Sequence, residues 1–351
     1  MNIACENNHS LQFAMMRNSE IMKEERKNVS KYFDTYSFYH GDFRVMSVLD
    51  GILHADYASI LNGVPQPELK SFLHSHNLQL DSPIDIPWTV FFVDTGENKI
   101  LIDTGMSKTF VDIDPTSADE VCPSVLDQKP KRVFISGHPV DCGHLLENLR
   151  YEDIKAEEID TIIITHAHAD HIGGLVNPRS ETLAFPNARV FMWKEEWQFI
   201  MENLDVLDSL NKYARGPVPE IIQLKYARQC LTPIKNHLLL IDSEQTDIVP
   251  GIRYVNAHGH SYMMAVEITS KKEKLLVLAD AAILPIQLEH PEWLYTNDLY
   301  KEQAAKTRKR LCEWVITKNA LVASPHFPFP GIGHINKSRQ GYRWEPIVIR
   351  Q

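Results

Sequence analysis

The sequence of 351 residues lacks several features that identify common classes of protein. It has no uninterrupted apolar stretch of about 18 residues, which a membrane-spanning helix requires. It also has no Gly-x-Ser-x-Gly turn of a serine hydrolase and no phosphate-binding glycine loop. Lys and Arg total 36 against 46 Asp and Glu, so the formal net charge is −10. Because an acidic chain binds nucleic acid poorly, we expect a small-molecule substrate and no nucleic-acid partner.

Cysteine is scarce, and its pattern indicates reduced thiols. The five cysteines are widely spaced, odd in number and form no Cys-x-x-Cys pair, which is typical of a reducing compartment. Residues 1–36 are charged and polar throughout and contain no apolar signal-peptide core. We therefore expect a mobile or helical extension over residues 1–36, no membrane partner and a cytoplasmic protein. The five cysteines are Cys5, Cys122, Cys142, Cys230 and Cys312.

Histidine is abundant, with 16 in all, and the densest group follows a short apolar run. The β-branched run 159–165 predicts a buried strand, and the sequence His-Ala-His-Ala-Asp-His comes directly after it at 166–171. A loop at the carboxyl end of a strand can direct these side chains toward one point. Imidazole suits zinc and similar ions, and a carboxylate adds charge compensation. One tetrahedral ion rarely takes four ligands from one loop, so the motif predicts two ions. His166 and His168 would bind one, and Asp170 and His171 the other.

Three later apolar runs also end at metal-seeking side chains. The run 252–255 is followed by His258 and His260, the run 275–278 by Asp280, and the run 321–325 by His326. Each repeats the strand-then-ligand arrangement of the first motif. We predict that these residues complete the two metal sites, with either His258 or His260 as the ligand of its loop.

The ordered motifs His-x-His-x-Asp-His, Gly-His, Asp and His resemble the metallo-β-lactamase superfamily over about residues 38–349. The resemblance implies an α/β protein, a four-layer αβ/βα sandwich with two mixed β-sheets flanked by helices. It also implies a dinuclear site at the edge between the sheets. Its implied ligands are His166, His168 and His260 on one ion, Asp170, His171 and His326 on the other, and Asp280 bridging both.

A turn upstream matches the same superfamily. Asp103-Thr104-Gly105 resembles its Asp-Thr-Gly turn, which implies a supporting role for Asp103 beneath the ligands. From the residues alone, apolar runs on both sides of Gly96 predict a hairpin that ends in a tight turn at Gly105. The bridging position holds Asp280, whereas the common β-lactamases have cysteine there.

The two ends of the chain are similar to one branch of the superfamily, the methyl parathion hydrolase-like enzymes, which include phosphotriesterases and acyl-homoserine lactonases. The similar segments are 38–45, 326–334 and 341–344. The chain departs from the pattern at two points. His258 replaces a proline of the usual Pro-Gly-His loop, so His258 stays an alternative to the aligned His260. Ile283 stands where many lactonases have tyrosine.

The domain organisation is predicted to be simple. Residues 37–351 are long enough for one two-sheet hydrolase domain. Its connection over residues 106–150 is longer than usual in the superfamily, which predicts a lid or a packing insert. A third metal site is the alternative there, since the segment contains Cys122, His138, Asp141, Cys142 and His144. A basic run, 306–310, lies within a predicted helix over 299–317 and is interpreted as its solvated face.

The resemblance implies a dinuclear metal-dependent hydrolase that cleaves an ester or lactone, of the acyl-homoserine-lactone, aryl ester or phosphotriester type. A metal-bridging hydroxide would attack, because a metal-bound water can have a pKa of about 7, and Asp170 or Asp280 would pass a proton to the leaving group. Two divalent ions are expected, zinc first, with iron, manganese or cobalt as alternatives. A glyoxalase II-like thioesterase, an iron-dependent sulfur dioxygenase and a metal-binding protein without catalysis remain open. A homodimer is expected only because it is the most frequent assembly.

Overall fold

The structure is a computed structural model and describes residues 34–61, 63–106, 133–135, 138–177, 180–202, 220–244, 246–339 and 341–348. Residues 1–33 of the predicted extension lie outside the described residues, as does 107–132 of the predicted insert, including Cys122. The division into an extension and one hydrolase domain therefore stays a prediction. Of the described cysteines, Cys142, Cys230 and Cys312, none forms a disulfide.

Strands and α-helices are interspersed along the described chain. In chain order the strands are β1 (Thr35–His40), β2 (Phe43–Asp56), β3 (Pro83–Asp94), β4 (Lys99–Ile102), β5 (Val133–Ile135), β6 (His138–Val140), β7 (Thr161–Ile164), β8 (Val176–Asn177), β9 (Thr182–Leu183), β10 (Arg189–Trp193), β11 (Leu238–Ile241), β12 (Asp247–Val249), β13 (Ile252–Asn256), β14 (Met264–Ser270), β15 (Glu273–Val277), β16 (Leu321–Ala323), β17 (Ile332–Lys337) and β18 (Tyr342–Pro346). The α-helices are α1 (Tyr57–Ile60), α2 (Gln66–Ser75), α3 (Leu145–Tyr151), α4 (Ala169–Ile172), α5 (Lys194–Glu202), α6 (Glu220–Leu231), α7 (Ile286–Glu289) and α8 (Lys301–Lys318).

Two seven-stranded mixed sheets form the centre of the described structure. The first has the order β1-β2-β3-β4-β7-β10-β11, antiparallel from β1 to β4 and parallel from β4 to β11. The second runs in order from β12 to β18 and is antiparallel except where β15 pairs with β16. Two mixed sheets flanked by helices are the arrangement expected from the resemblance, so the predicted fold class is confirmed. The predicted hairpin is also observed, with Phe91 opposite Ile102.

The two sheets pack face to face through large apolar side chains. Phe91 and Ile163 of the first sheet and Val266 and Leu275 of the second are members of one buried cluster. Tyr254, also in this layer, donates its hydroxyl to the carbonyl oxygens of Ile164 at 2.8 Å and Phe191 at 3.0 Å. A buried phenol that finds acceptors avoids the cost of an unpaired polar group. The hydroxyl of Tyr254 therefore links the strand that precedes His260 to β7, the strand that precedes His166.

Helix α8 covers the outer face of the second sheet, and its burial corrects one prediction. Leu311 and Val315 lie one turn apart and pack in the same cluster as Leu276 and Val322. Lys306, Lys309 and Arg310 are exposed, as predicted for the basic run. Arg308 is only 2% exposed, so the prediction of a solvated face is wrong for this residue, because position 308 falls on the packed side of the helix with position 311. No helix in the described part of the chain is long and apolar enough to cross a bilayer.

Candidate metal centre

The first ligand loop leaves the first sheet at the end of β7. Strand β7 ends at Ile164, and His168 precedes α4, the single helical turn that carries Asp170 and His171. The backbone N–H of Thr104 donates to the His171 carbonyl oxygen at 2.7 Å. A Cβ atom at Gly174 would clash with the backbone oxygen of Thr104, so only glycine allows this close approach. The turn after β4 therefore fixes the position of the ligand loop.

The structure brings all seven predicted ligand residues together, in two groups whose ligand atoms each lie within 4.8 Å of one another. Asp280 lies between the groups. Its Oδ2 is 3.4 Å from His260 Nε2, while its Oδ1 is 3.0 Å from His326 Nε2 and 3.1 Å from His171 Nε2. This division is the one the resemblance implied. The first group contains His166, His168, His260 and Asp280, and the second contains Asp170, His171 and His326.

The alternative ligand His258 does not join either group. Its Nε2 lies 3.8 Å from Glu195 Oε2, and its backbone carbonyl accepts a hydrogen bond from Thr307 Oγ1 at 2.6 Å. Between His258 and His260, Gly259 adopts a φ of +146° and packs so closely on Ala304 that a Cβ would clash with the helix backbone. This glycine-dependent turn takes His260, and not His258, to the cluster.

Most of the clustered histidines have a partner for the ring nitrogen that faces away from the cluster. His171 Nδ1 lies 2.8 Å from Asp103 Oδ2, His260 Nδ1 lies 3.1 Å from Asp298 Oδ1, and His326 Nδ1 lies 2.9 Å from the Pro87 carbonyl oxygen. Such partners fix the tautomer and orient the ring, which is how proteins support metal-ligating histidines. Asp103 thus occupies the supporting position that its Asp-Thr-Gly turn implied. Asp298 had no motif to mark it.

Two further polar side chains, which the sequence analysis missed, hold the backbone of the ligand loops. The buried carboxylate of Glu196, on α5, accepts the N–H of Ala167 and the N–H of Tyr262, both at 3.0 Å. Gln223, on α6, accepts the N–H of Ala169 at 2.9 Å. Glu196 therefore joins the loops that carry His166 and His260. In the sequence these two residues are ordinary polar positions in helices, and only their burial distinguishes them.

The electrostatics of the cluster suit divalent cations. Burial lowers the pKa of His166 well below its ordinary value, so that imidazole is neutral. Burial also acts to lower the pKa of His171, but Asp280, Asp170 and Asp103 together raise it well above the ordinary value. For Asp280, burial acts to raise the pKa, and the neighbouring histidines His326, His171 and His166 hold it well below the ordinary range. Ionised carboxylates among buried imidazoles form a donor set that fits zinc and similar first-row ions.

An unpaired ring nitrogen supports the same fit. His166 Nε2 is buried and has no hydrogen-bond partner among the described residues, and the nearest carboxylate oxygen, Oδ2 of Asp280, is 3.7 Å away. Burying such a nitrogen costs free energy unless something binds it. A metal ion between these residues would satisfy it.

A pocket of ≈ 490 Å³, including space open to solvent, leads to the cluster. Its floor contains Asp170 and Asp280, and Ile283 lies in its wall, so the position where many lactonases have tyrosine does face this cavity. The apolar lining consists of Leu53, Ile86, Trp88, Met106 and Ile283, and the other lining residues are His168, Gln223, Tyr295, Asn297 and His326.

A third group that could hold an ion lies outside this centre and consists of Glu68, His290 and Glu292, with both glutamates exposed. The predicted insert contributes to no such group within the part of the chain that is described. Its His144 instead pairs with Asp141, 2.7 Å from Nε2 to Oδ1. The insert's alternative role as a third metal site stays untested at Cys122.

Known proteins resemble the chain in sequence and in structure. A model of the metallo-beta-lactamase superfamily matches residues 87–182. An N-acyl homoserine lactonase of a Bacillus species is 23% identical over 251 residues, covering 69% of this chain and 82% of the relative. Anti-Pycsar protein Apyc1 of Bacillus phage BSP38 is 37% identical over 84 residues, and the match spans only 33% of that relative. Among solved structures, the dizinc quorum-quenching lactonase AidC, bound to a product, has a TM-score of 0.74 and 25% identity, covering 90% of this chain and 98% of AidC.

The two mixed sheets, with a His and Asp cluster where strands of both end, have the fold of lactonases and other hydrolases that act on ester bonds. Over residues 87–182 the chain matches the metallo-β-lactamase superfamily, and its structural neighbours are acyl-homoserine lactonases and other hydrolases of that fold. The predicted resemblance to this superfamily is confirmed, and its matched relatives are hydrolases that act on ester bonds, the predicted enzyme class.

Proposed function

We propose that this protein is a dinuclear metal-dependent hydrolase that opens a lactone ring or cleaves a related ester, with N-acyl homoserine lactones as the first substrate class. The observation that carries the proposal is the convergence of five histidines and two aspartates into two adjacent groups around Asp280, beside a pocket with an apolar side. The lactonases among its relatives support the substrate class.

The ligand assignment follows the two groups. When bound, two divalent ions, zinc first, supply an acidified water with a pKa of about 7 and a Lewis acid for the carbonyl oxygen. The chain contributes the ligand geometry and the charge balance. One ion would be held by His166, His168 and His260, the other by Asp170, His171 and His326, and Asp280 would contact both.

Asp170 is the better placed of the two aspartates to transfer a proton. Its side chain is 17% exposed, against 4% for Asp280, and both line the pocket. Asp280 is also enclosed by three histidine nitrogens within 3.4 Å, so its oxygens are occupied by the cluster. We therefore assign to Asp170 the transfer of a proton, which it would accept from the attacking water and pass to the departing alkoxide oxygen, and to Asp280 the role of shared ligand.

The pocket would receive the acyl chain. Leu53, Ile86 and Trp88 give it an apolar wall that excludes water and gains free energy by burying a hydrocarbon chain. Ile283 supplies no hydroxyl, and the uncharged polar side chains that line the pocket are those of Gln223, Tyr295 and Asn297. An uncharged acyl substrate fits this lining better than a charged one.

The alternatives are separated by ion number and by pocket chemistry. An iron-dependent dioxygenase of this superfamily would bind one ion and would leave His171 and His326 without a ligand role. Both residues lie within the second group, which favours hydrolysis. A thioesterase would use the same ligands, so only its substrate preference distinguishes it.

The test combines metal content with substrate preference. Elemental mass spectrometry on the purified protein should find two zinc-like ions per chain. Lactone opening, followed by acid release at constant pH, should exceed the hydrolysis of matched thioesters and phosphotriesters in kcat/KM by about tenfold or more. We expect His166→Ala to lose metal and activity together. Two bound ions with no turnover of any ester, or a single iron with oxygen consumption, would refute the proposal.

A further inference from the structure

We propose that Arg308 is a positioning residue of the metal centre, which orients His260 through Asp298 and Asp280 through the carbonyl group of Ala281. The inference rests on the proposed function, in that His260 and Asp280 are taken to hold metal. Arg308 lies outside both ligand groups and touches neither the pocket nor the clustered atoms.

The guanidinium of Arg308 is fully enclosed and bonded on two sides. Its Nε donates to the Ala281 carbonyl oxygen at 2.6 Å, and its Nη1 donates to the carbonyl oxygens of Pro291 and Trp293, both at 2.7 Å. Its Nη2 makes no hydrogen bond to the described residues, but it lies 3.7 Å from Asp298 Oδ2, which is an ion pair. Burying a planar cation with five donors is costly, and a methionine or leucine could fill the same volume. Apolar packing alone therefore does not account for a guanidinium that holds three backbone carbonyl groups at this place.

Asp298 transmits the effect of Arg308 to His260. The Asp298 side chain is fully buried, and its Oδ1 lies 3.1 Å from His260 Nδ1. Its Oδ2 accepts the N–H of Tyr295 at 3.0 Å and faces Arg308. The positive charge of Arg308 offsets the negative charge of Asp298 in the interior. A carboxylate held there accepts the Nδ1–H of His260 and leaves the lone pair of Nε2 for the cluster.

A second connection reaches Asp280. This residue lies in a tight turn, Ala279–Ala281, in which Ala279 has a φ of +48°. The bond from Arg308 to the carbonyl of Ala281 holds the residue that follows Asp280 directly. The bonds to Pro291 and Trp293 anchor the start of the segment that carries Tyr295 and Asn297 to the pocket. One side chain thus ties together a ligand of the first group, the shared ligand and a wall of the pocket.

The test compares four variants of the full-length protein: Arg308→Met, Arg308→Lys, Asp298→Asn and the double variant R308M/D298N. The readouts are zinc dissociation constants from chelator competition, the absorption spectrum of the cobalt-substituted protein, and kcat and KM. Loss of such a supporting partner typically weakens metal binding by about 10–100-fold. We expect R308M and D298N each to weaken one of the two ions by this factor and to change the cobalt spectrum. R308K keeps the charge but loses the fork of donors, so an intermediate effect is expected.

The double variant tests whether Arg308 acts through Asp298. If it does, the combined loss of zinc affinity is smaller than the sum of the two single losses on a free-energy scale. Lys309→Met is the matched control, since Lys309 is exposed on the same helix, and it should match the wild type in every readout.

A purely structural role gives a different result. In that case R308M lowers the melting temperature, while the folded variant keeps wild-type zinc affinity, cobalt spectrum and kcat, and the proposal is overturned. Wild-type zinc binding by D298N overturns it as well, and this result is informative even where R308M does not fold. Failure of the proposed function gives a different observation, because the wild-type protein itself would then bind fewer than two ions or hydrolyse no ester. His260→Ala serves as the reference for the loss of one ion.

Discussion

The carboxylate of Asp103 lies 2.8 Å from Nδ1 of His171, and both side chains are buried. The same carboxylate accepts the backbone N–H and the hydroxyl of Thr165, each at 2.8 Å. Asp103 has a φ of +64°, a left-handed conformation that aspartate tolerates better than most residues. The turn after β4 therefore supports the ligand loop after its parallel neighbour β7.

Asp103→Asn should weaken metal binding without removing a ligand. The amide keeps the shape of the side chain but cannot accept all three hydrogen bonds, so the tautomer and orientation of His171 become less well fixed. We expect the affinity for one ion to fall by about 10–100-fold. Chelator competition measures this loss. Asp81→Asn, at an exposed position, is the control, and equal affinities in the two variants would contradict the prediction.

His258 and His260 form a natural pair for comparison, two residues apart in one loop. We expect His260→Ala to lose one ion and to reduce kcat/KM by about 100-fold or more, because the ring belongs to the first group. His258→Ala should keep both ions, since its nearest carboxylate is Glu195, 3.8 Å away. Metal content and lactone turnover of the two variants, measured together, check the assignment. Loss of an ion in His258→Ala alone would reverse it.

Asp50 gives the stability of the protein a specific pH dependence. Burial raises its pKa to about 6, against the opposing hydrogen bonds from the backbone N–H groups of Met106, Leu145 and Gly143. Because this folded-state pKa lies above the ordinary value of 3.8, the folded protein binds more protons than the unfolded chain does at a pH between 3.8 and about 6. The stabilising contribution is therefore complete below about pH 4 and is lost as the pH rises through 6, by roughly 3 kcal/mol.

The matched variant for this prediction is Asp50→Asn, which cannot titrate. The free energy of unfolding of the wild type, minus that of the variant, should fall between pH 4 and pH 7. Urea unfolding of the metal-free proteins measures this difference at each pH, and all other titrating groups cancel to first order. A difference that stays constant over the range would show that Asp50 does not titrate there.

Gly174→Ala tests the contact between the ligand loop and the turn after β4. The added methyl group would clash with the backbone oxygen of Thr104, which cannot move without disturbing the bond from Thr104 to the His171 carbonyl. We expect a loss of about 1–3 kcal/mol in the free energy of unfolding. Gly63→Ala is the control, since the nearest atom to its Cβ would be 3.8 Å away. Similar unfolding midpoints for the two variants would argue against a tight contact at Gly174.

Much of the candidate centre could be predicted because its signals are local. Each candidate ligand is a histidine or aspartate that comes just after an apolar run, and the observed strands Thr161–Ile164, Ile252–Asn256, Glu273–Val277 and Leu321–Ala323 end before them. Alternating or continuous apolar runs depend on neighbouring residues only, so the strands could be read from the chain.

The supporting residues could not be predicted, because their roles depend on partners far away in the chain. Glu196 joins Ala167 to Tyr262, and Asp298 lies 38 positions from His260. Each is an unremarkable polar residue in sequence, and only packing decides that it is buried beside a backbone N–H or an imidazole. Arg308 was misread for the same reason, since its basic neighbours are exposed and the helix rotation that buries it is set by the sheet below.

The sequence by itself determined the types of the candidate ligands, their order and their attachment to strand ends, because metal chemistry and strand formation are properties of short segments. Tertiary structure alone decided that His260 rather than His258 joins the cluster, that Asp280 lies between the two groups, and that Asp298 and Arg308 stand behind them. These outcomes depend on how two sheets and a helix pack, and on the turn at Gly259, which packs against Ala304 with a φ of +146°. No local sequence pattern contains such long-range contacts.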